Sequence, residues 1–221
     1  MAKDDTTIDA RPPRKRDAAA TRQRILDAGK AAFAEHGFAG ARIDQIARAA
    51  EANIQMIYRY FGGKEELYLT ALADTYAGIR VLERQLDLGA LPPADGMRRL
   101  VEFTFDYLRD NPQFVAMIRN ENMAHGRFVR NLPAVSDSAL PLVETIEDLL
   151  RRGRASGDFR IEIDPPQLYV TIRSLCIIHL AQRDTLSVMF KRDLGAPDWL
   201  AARRVHVVDV VLTFLMADRT R

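Results

Sequence analysis

From Ala18 onward, apolar residues recur three and four positions apart, with proline and glycine as punctuation between the runs. A period near 3.6 puts one apolar stripe on each helix, so the chain is expected to be all-α, with about nine helices. The one strand-like alternation, Phe159 to Ile163, is too short to seed a sheet. The 48% hydrophobic content provides a core for these stripes to bury. No apolar run reaches the roughly 20 residues that span a bilayer. The polar start, MAKDDTTIDARPPRKRD, has no signal-like apolar segment, and Cys176 is the sole cysteine. A cytoplasmic location is expected from these features.

The first helices are short. Ile25, Ala28, Gly29, Ala32 and Phe33 share one face of a helix that should end at EHGF, where Gly37 takes a left-handed cap and Phe38 folds back on the last turn. A second helix is expected over Arg42 to Ala50, with Ile43, Ile46, Ala47 and Ala50 inward. After EAN, Asn53 is suited to cap a third helix that reaches Phe61. Gly62 and Gly63 break the pattern, and Lys64, Glu65 and Glu66 open a long helix to about Leu86, the two acids matching its positive end. Further helices are expected over about 95–109, 112–124 and 139–155, and two long segments over 166–190 and 197–216 close the chain.

Two short helices around a tight turn form a helix-turn-helix, whose second helix fits the major groove of a duplex. Its residues sort accordingly. Ala52, Ile57 and Phe61 should pack inward. Asn53, Ile54, Gln55 and Met56 lie at the exposed helix start, where base edges would be. Tyr58, Arg59, Tyr60 and Lys64 offer hydroxyl and cationic donors to phosphates. Apolar Ile54 and Met56 suit thymine methyls, or one of them packs into the core. Charge agrees with a polyanion partner. Residues 1–64 carry twelve Lys and Arg against eight Asp and Glu, and the remainder carries twenty against twenty-two.

The stretch TRQRILDAGKAAFAEHGF…IDQIARAAEANIQMIYRYFGGKEELY, Thr21 to Tyr68, resembles the DNA-binding domain of the tetracycline-repressor (TetR) family of bacterial transcription regulators. The residues that carry the resemblance are Ile25-Leu26-Asp27-Ala28, Phe33, Gly37-Phe38, Ile46-Ala47, Ala50, Ile57-Tyr58, Tyr60-Phe61, Lys64-Glu65 and Leu67. The chain departs from the family pattern in three places, of which one is apolar Ile54 and Met56 where the family is often polar. Glu51 stands in a turn where glycine is common, so either it takes an unfavourable backbone angle there or the turn differs slightly. Ala41-Arg42 replaces the usual Thr or Ser cap, which costs about 1 kcal/mol, and Arg42 could compensate by holding a phosphate. Residues 1–17, polar and without an apolar period, are expected to be a disordered basic arm, and the resemblance implies a DNA-binding domain over 18–63 and a ligand-binding and dimerisation domain over 64–221. It also implies a homodimer on a palindromic operator, released by a small-molecule effector. RPPRKR would be either an arm on DNA or a solvated tail.

In the later helices VHVVDVVLTFLM, Val205 to Met216, is apolar over more than one face, as expected where the last two long helices meet their copies. Polar and aromatic residues on otherwise apolar faces nominate a pocket: Phe103, Tyr107, Met117, Asn120, Glu121, Met123, His125, Tyr169, Arg173 and Cys176. Each taken alone also fits an ordinary core or surface position. No catalytic residues, cofactor or metal ligands are expected. His36, His125, His179 and His206 lack metal-binding spacing, and neither a phosphate-binding loop nor a nucleophile elbow is present. An alternative remains open: an all-helical small-molecule-binding protein or enzyme whose N-terminal helices no longer read DNA.

Overall fold

A computed structural model describes residues 15–216, which divide into two compact units, the first ending at Ala71 and the second beginning at Leu72. The described residues form ten α-helices and two 3-10 turns, with no strand. The residues expected to form a basic arm lie outside the described residues up to position 14. Lys15–Asp17 already belong to the first helix.

The first unit holds α1 (Lys15–Gly40), α2 (Ile43–Ala49), α3 (Ile54–Phe61) and the start of α4 (Lys64–Gln85). Within α1, Gly37 adopts φ 66°, ψ 178°, a conformation open mainly to glycine, and the chain kinks there before one last turn. The helix thus bends at the expected glycine instead of ending. Beyond the kink Phe38 folds back, and its ring stacks near Phe33 and Tyr68 at centroid distances of 6.5 and 5.3 Å. Ile25, Phe33, Ile46, Ile57, Leu67 and Tyr68 are fully buried around this cluster. Each apolar side chain removed from water in this way contributes about 1.5–3 kcal/mol.

The second unit continues α4 and adds α5 (Pro93–Asp110), α6 (Pro112–Met123), α7 (Pro133–Ser156), α8 (Pro165–Ala181), α9 (Arg183–Phe190) and α10 (Pro197–Met216), with 3-10 turns at Leu88–Ala90 and Val129–Asn131. Proline at the first position suits a helix start, because its missing N–H would have had no partner there. Asp164 adds a side-chain cap to α8 by accepting the Gln167 amide at 3.1 Å. The amphipathic α5 is the central member, packed on α7, α8 and α10, with Met97, Leu100, Val101, Phe105 and Leu108 in the core.

Two expectations change here. The long segment over 166–190 is two helices, because the ladder stops at Gln182, which gives a tenth helix in place of nine. The α7 helix starts at Pro133, six residues before the expected Ala139, and runs through Pro141. The short alternation at Phe159–Ile163 forms no strand, as expected from its length. Phe159 and Ile161 insert into the core, and the Arg160 amide donates to the Leu215 carbonyl at 2.9 Å.

Candidate DNA interface and effector cavity

The turn between α2 and α3 fixes how α3 is presented. Glu51 takes the left-handed conformation, φ 50°. Its amide donates to the Arg48 carbonyl at 3.1 Å and the Ala52 amide to the Ala47 carbonyl at 2.9 Å, the paired bonds of a Schellman cap. Of the two alternatives at Glu51, the turn takes the strained angle. Asn53 then accepts the Gln55 amide at 2.9 Å and caps α3. At the other end Gly62, φ 87°, closes α3 by donating to the Tyr58 carbonyl. No side chain caps α2 at Arg42, whose Nε instead pairs with Asp44 at 3.1 Å.

With both ends set, Ile57 and Phe61 anchor α3 and the remaining side chains turn outward. Tyr58 is 55% exposed and Ile54 40%; Asn53, Gln55, Arg59 and Arg42 are exposed, and Met56, Tyr60 and Ala52 are half-buried. Lys64 is half-buried. Its ammonium lies 4.8 Å above the Phe38 ring and 3.4 Å from the Ala39 carbonyl, and burial lowers its pKa. It is held against the end of α1 rather than reaching freely outward. Two arginines of α1 support the assembly without having been singled out. Arg24 donates to the Ala50 carbonyl at 3.1 Å, bracing the end of α2, and Arg22 lies 4.8 Å from the Phe61 ring centroid. Their signal in the sequence was only charge, which does not distinguish a brace from a DNA contact.

In the second unit a cavity of about 430 Å³ opens among α4, α6 and α8, lined in part by Tyr76, Arg80, Ile118, Asn122, Tyr169 and Arg173. Behind it, Arg80 pairs with Glu83 in a buried ion pair. The Tyr169 hydroxyl accepts from both Arg80 and Arg173, each at 3.4 Å. Arg173 also lies over the Phe114 and Tyr169 rings. Phe114 in turn meets Tyr76 and Tyr107 edge-on, at 6.2 and 5.3 Å. Burial raises the pKa of the Tyr76 and Tyr107 phenols, which keeps them protonated as donors, and raises the Glu83 carboxyl despite the pull of Arg80. A second cavity of about 430 Å³ lies on the other side of the Arg80–Glu83 pair, reaching Ser138, Glu144 and Asp148.

The ten nominated pocket residues separate. Tyr169 and Arg173 line the first cavity. Tyr107 and Phe103 stand in the aromatic group beside it, their rings 5.8 Å apart. Met117 is buried next to Phe114 on α6, and Asn120 is half-buried on the same helix. Glu121 is buried and structural: its carboxylate accepts the Phe128 and Val129 amides at 2.7 and 2.9 Å, which ties down the loop after α6. Met123 is 74% exposed and His125, at φ 56°, is exposed, because α6 ends at Met123 and the chain turns away. Cys176 is a core residue whose thiol burial pushes up to about 12. Arg80, Glu83 and Tyr76 were not nominated, although they lie at the centre. Among the described residues no cluster of His, Cys, Asp and Glu could hold a metal, and no helix is long and apolar enough to cross a membrane.

Comparison with known proteins agrees with this division. Residues 25–71 match the family described as bacterial regulatory proteins, tetR family, and residues 93–211 match the tetracyclin repressor-like C-terminal domain. The HTH-type transcriptional repressor NicS of Pseudomonas putida is 37% identical over 194 residues, covering 85% of this chain and 90% of that protein. The repressor SCO4008 of Streptomyces coelicolor is 38% identical over 113 residues, half of this chain and 54% of its own length. Among solved structures, the regulator SCO4942 of Streptomyces coelicolor superimposes with a TM-score of 0.65 at 25% identity, over 86% of this chain and 96% of that one. The ketosteroid regulator KstR2 of Mycobacterium tuberculosis shares the fold at a TM-score of 0.65 and 21% identity, over 89% and 95%.

Proposed function

The chain belongs to the TetR family of bacterial regulators, and on that premise we propose that it is a homodimeric transcriptional repressor released from a palindromic operator by a small-molecule effector. The observation that carries this reading is α3. It is capped at both ends and anchored by two buried residues, and it leaves Asn53, Ile54, Gln55, Tyr58 and Arg59 exposed on a rigid element. A capped helix of this length fits a major groove about 12 Å wide. Asn53, Ile54, Gln55 and Met56 are assigned to base edges, and Arg42, Tyr58, Arg59, Tyr60 and Lys64 to phosphates. The Oδ1 of Asn53 accepts the Gln55 amide in the cap, which leaves its amide nitrogen and one oxygen lone pair for a base.

A dimer through α8 and α10 is supported by apolar residues that one protomer leaves uncovered: Val170 and Ile178 on α8, and Val205, Val210, Phe214 and Met216 on α10. The opposite face of α10, with Val207, Val208, Val211, Leu212 and Leu215, is already in the core. Two-fold symmetry then places two reading helices one duplex turn apart, about 34–36 Å, hence the palindrome. An effector in the second unit acts only if it binds the conformer with misplaced reading helices more tightly than the DNA-bound one. The α4 helix, which contributes residues to both units, is the segment through which that preference is expected to pass.

Selection from random duplexes with the full-length protein tests the reading. Recovery of one palindromic sequence, bound more weakly as salt rises, is expected. Recovery of no common sequence rejects it in favour of a helical binding protein or enzyme with an N-terminal unit that does not read DNA.

A further inference from the structure

The cavity among α4, α6 and α8 contains more hydrogen-bond donors than acceptors. Arg80 is 6% exposed, and its Nε has no hydrogen-bond partner. Arg173 lines the cavity and forms no ion pair among the described residues, resting instead on the faces of Phe114 and Tyr169. The Tyr169 oxygen accepts from both guanidiniums at 3.4 Å, and its own O–H finds no acceptor among the described residues. Against these two cations stands one carboxylate in contact, Glu83, paired with Arg80. Glu121, which faces Tyr76, has its carboxylate bound by the Phe128 and Val129 amides. Arg173, with one 3.4 Å bond to Tyr169 and no ion pair among the described residues, presents donors at the cavity wall to an acceptor supplied from outside.

We propose that the effector is a small aromatic carboxylate, its carboxyl group held by Arg173 and the Tyr169 hydroxyl beside Arg80 and its ring lying among Tyr76, Ile118 and Ile177. The proposal rests on the effector-release reading above and specifies its ligand chemistry. Planar guanidinium matches carboxylate geometry with two parallel bonds, which a neutral amide of the same shape does not reproduce. The open cleft, about 430 Å³, has room for a single substituted ring. Ile118, Ile177 and the Tyr76 ring form the more apolar end, where the Glu121 carboxylate near Tyr76 is held by the Phe128 and Val129 amides.

The test uses the full-length protein and three probes: benzoate, benzamide, which keeps the ring without the charge, and acetate, which keeps the charge without the ring. Titration calorimetry is expected to show benzoate binding at least about tenfold more tightly than either of the others. Arg173→Met should abolish the preference for benzoate over benzamide, and Arg173→Lys should keep part of it. Arg173 is chosen over the more deeply buried Arg80 because its loss leaves the core intact, and an unchanged melting temperature of the free variant checks this. Equal binding of benzoate and benzamide, no binding of any probe, or a benzoate affinity untouched by Arg173→Met overturns the proposal. Operator retention is measured in parallel. A protein that binds its operator but no probe leaves the repressor reading standing without this ligand class. Benzoate bound at Arg173 with no release of operator upholds the recognition and rejects the effector role.

Discussion

The two units place their candidate sites in opposite ways. In the first, the core closes beneath α3 with Ile57 and Phe61, and Ile54, Gln55, Tyr58 and Arg59, proposed to meet DNA, are on the outside. In the second, the candidate site is part of the core wall: Arg80, Glu83 and Tyr169 hold one another inside the helical packing. Function should therefore be separable from stability in the N-terminal unit and joined to it in the C-terminal one. Substitutions in each unit can break this contrast or sharpen it.

The largest effect is expected at Glu83. Both partners of the Arg80–Glu83 pair are nearly inaccessible, so Glu83→Ala leaves a buried guanidinium uncompensated and should cost about 3–5 kcal/mol in denaturant unfolding. Replacing both residues by Met and Leu should recover much of that loss, because the cost lies in the unpaired charge. A single-variant loss below about 1 kcal/mol would show that water reaches the pair, and the contrast between units would fail.

His179 follows. Its ring stacks on Phe105 at 5.1 Å and meets Trp199 at 5.5 Å, and burial, aided by the Arg203 charge, lowers its pKa from 6.5 to about 4. The folded protein thus holds the neutral ring. The stability this provides is complete above pH 6.5 and is lost as pH falls through about 4, in total about 3 kcal/mol. Melting curves between pH 7.5 and 4 should converge for His179→Phe, which keeps the stacking without a titrating group. Parallel curves for both proteins would show that this histidine is not the source of the acid sensitivity.

The Arg80–Glu83 pair also shows where sequence reading stops. Asn53, Gly62 and Glu51 were legible because a cap or a left-handed turn is set by neighbours within a few positions. Arg80 and Glu83 are three apart on α4 and look in sequence like a surface pair. Only Tyr169, 89 positions further on, reveals that they are inside. The same limit placed Glu121 in a pocket when it anchors a loop, and took Met123 and His125 for lining residues when α6 ends at Met123. All-helical character was legible throughout, since the 3.6 period is local. The break at Gln182 left no periodic trace, and the start of α7 is marked only by Pro133 at its first position, a signal of helix starts that the apolar period does not carry.

Gly153 extends the test to packing alone. It is buried on α7 directly against the Phe159 ring, and a methyl group there would overlap that ring. Gly153→Ala should lose about 1–3 kcal/mol, more than alanine's helix propensity returns. Adding Phe159→Leu should relieve part of the loss; a fully stable single variant would mean that the segment after α7 moves aside freely.

On the reading helix the sign of the contrast reverses. Arg59→Ala should leave the melting temperature unchanged while weakening operator binding about equally on all sequences and lowering the salt slope by about 1, as expected for one lost phosphate contact. Asn53→Ala serves as a partner experiment, since it removes the α3 cap and should cost about 1 kcal/mol of stability as well. If Arg59→Ala destabilised the fold as much as Asn53→Ala, the exposed face of α3 would be structural and not a reading surface.

The smallest effect is a gain. Glu51 is exposed and holds φ 50° at the helix-turn-helix corner, where a side chain beyond glycine is strained by roughly 1 kcal/mol. Glycine removes that strain but orders a more flexible residue on folding, so Glu51→Gly should stabilise the protein by about 0.5 kcal/mol, with Glu51→Pro strongly destabilising because proline cannot reach a positive φ. The two Schellman bonds from Glu51 and Ala52 use backbone amides and are kept in the glycine variant. Operator affinity should rise slightly too, since removing a carboxylate beside the duplex relieves repulsion with phosphates. A glycine variant that gains stability but loses affinity would mean that Glu51 holds the angle between α2 and α3 that the groove requires, and that even in the N-terminal unit one residue ties stability to function.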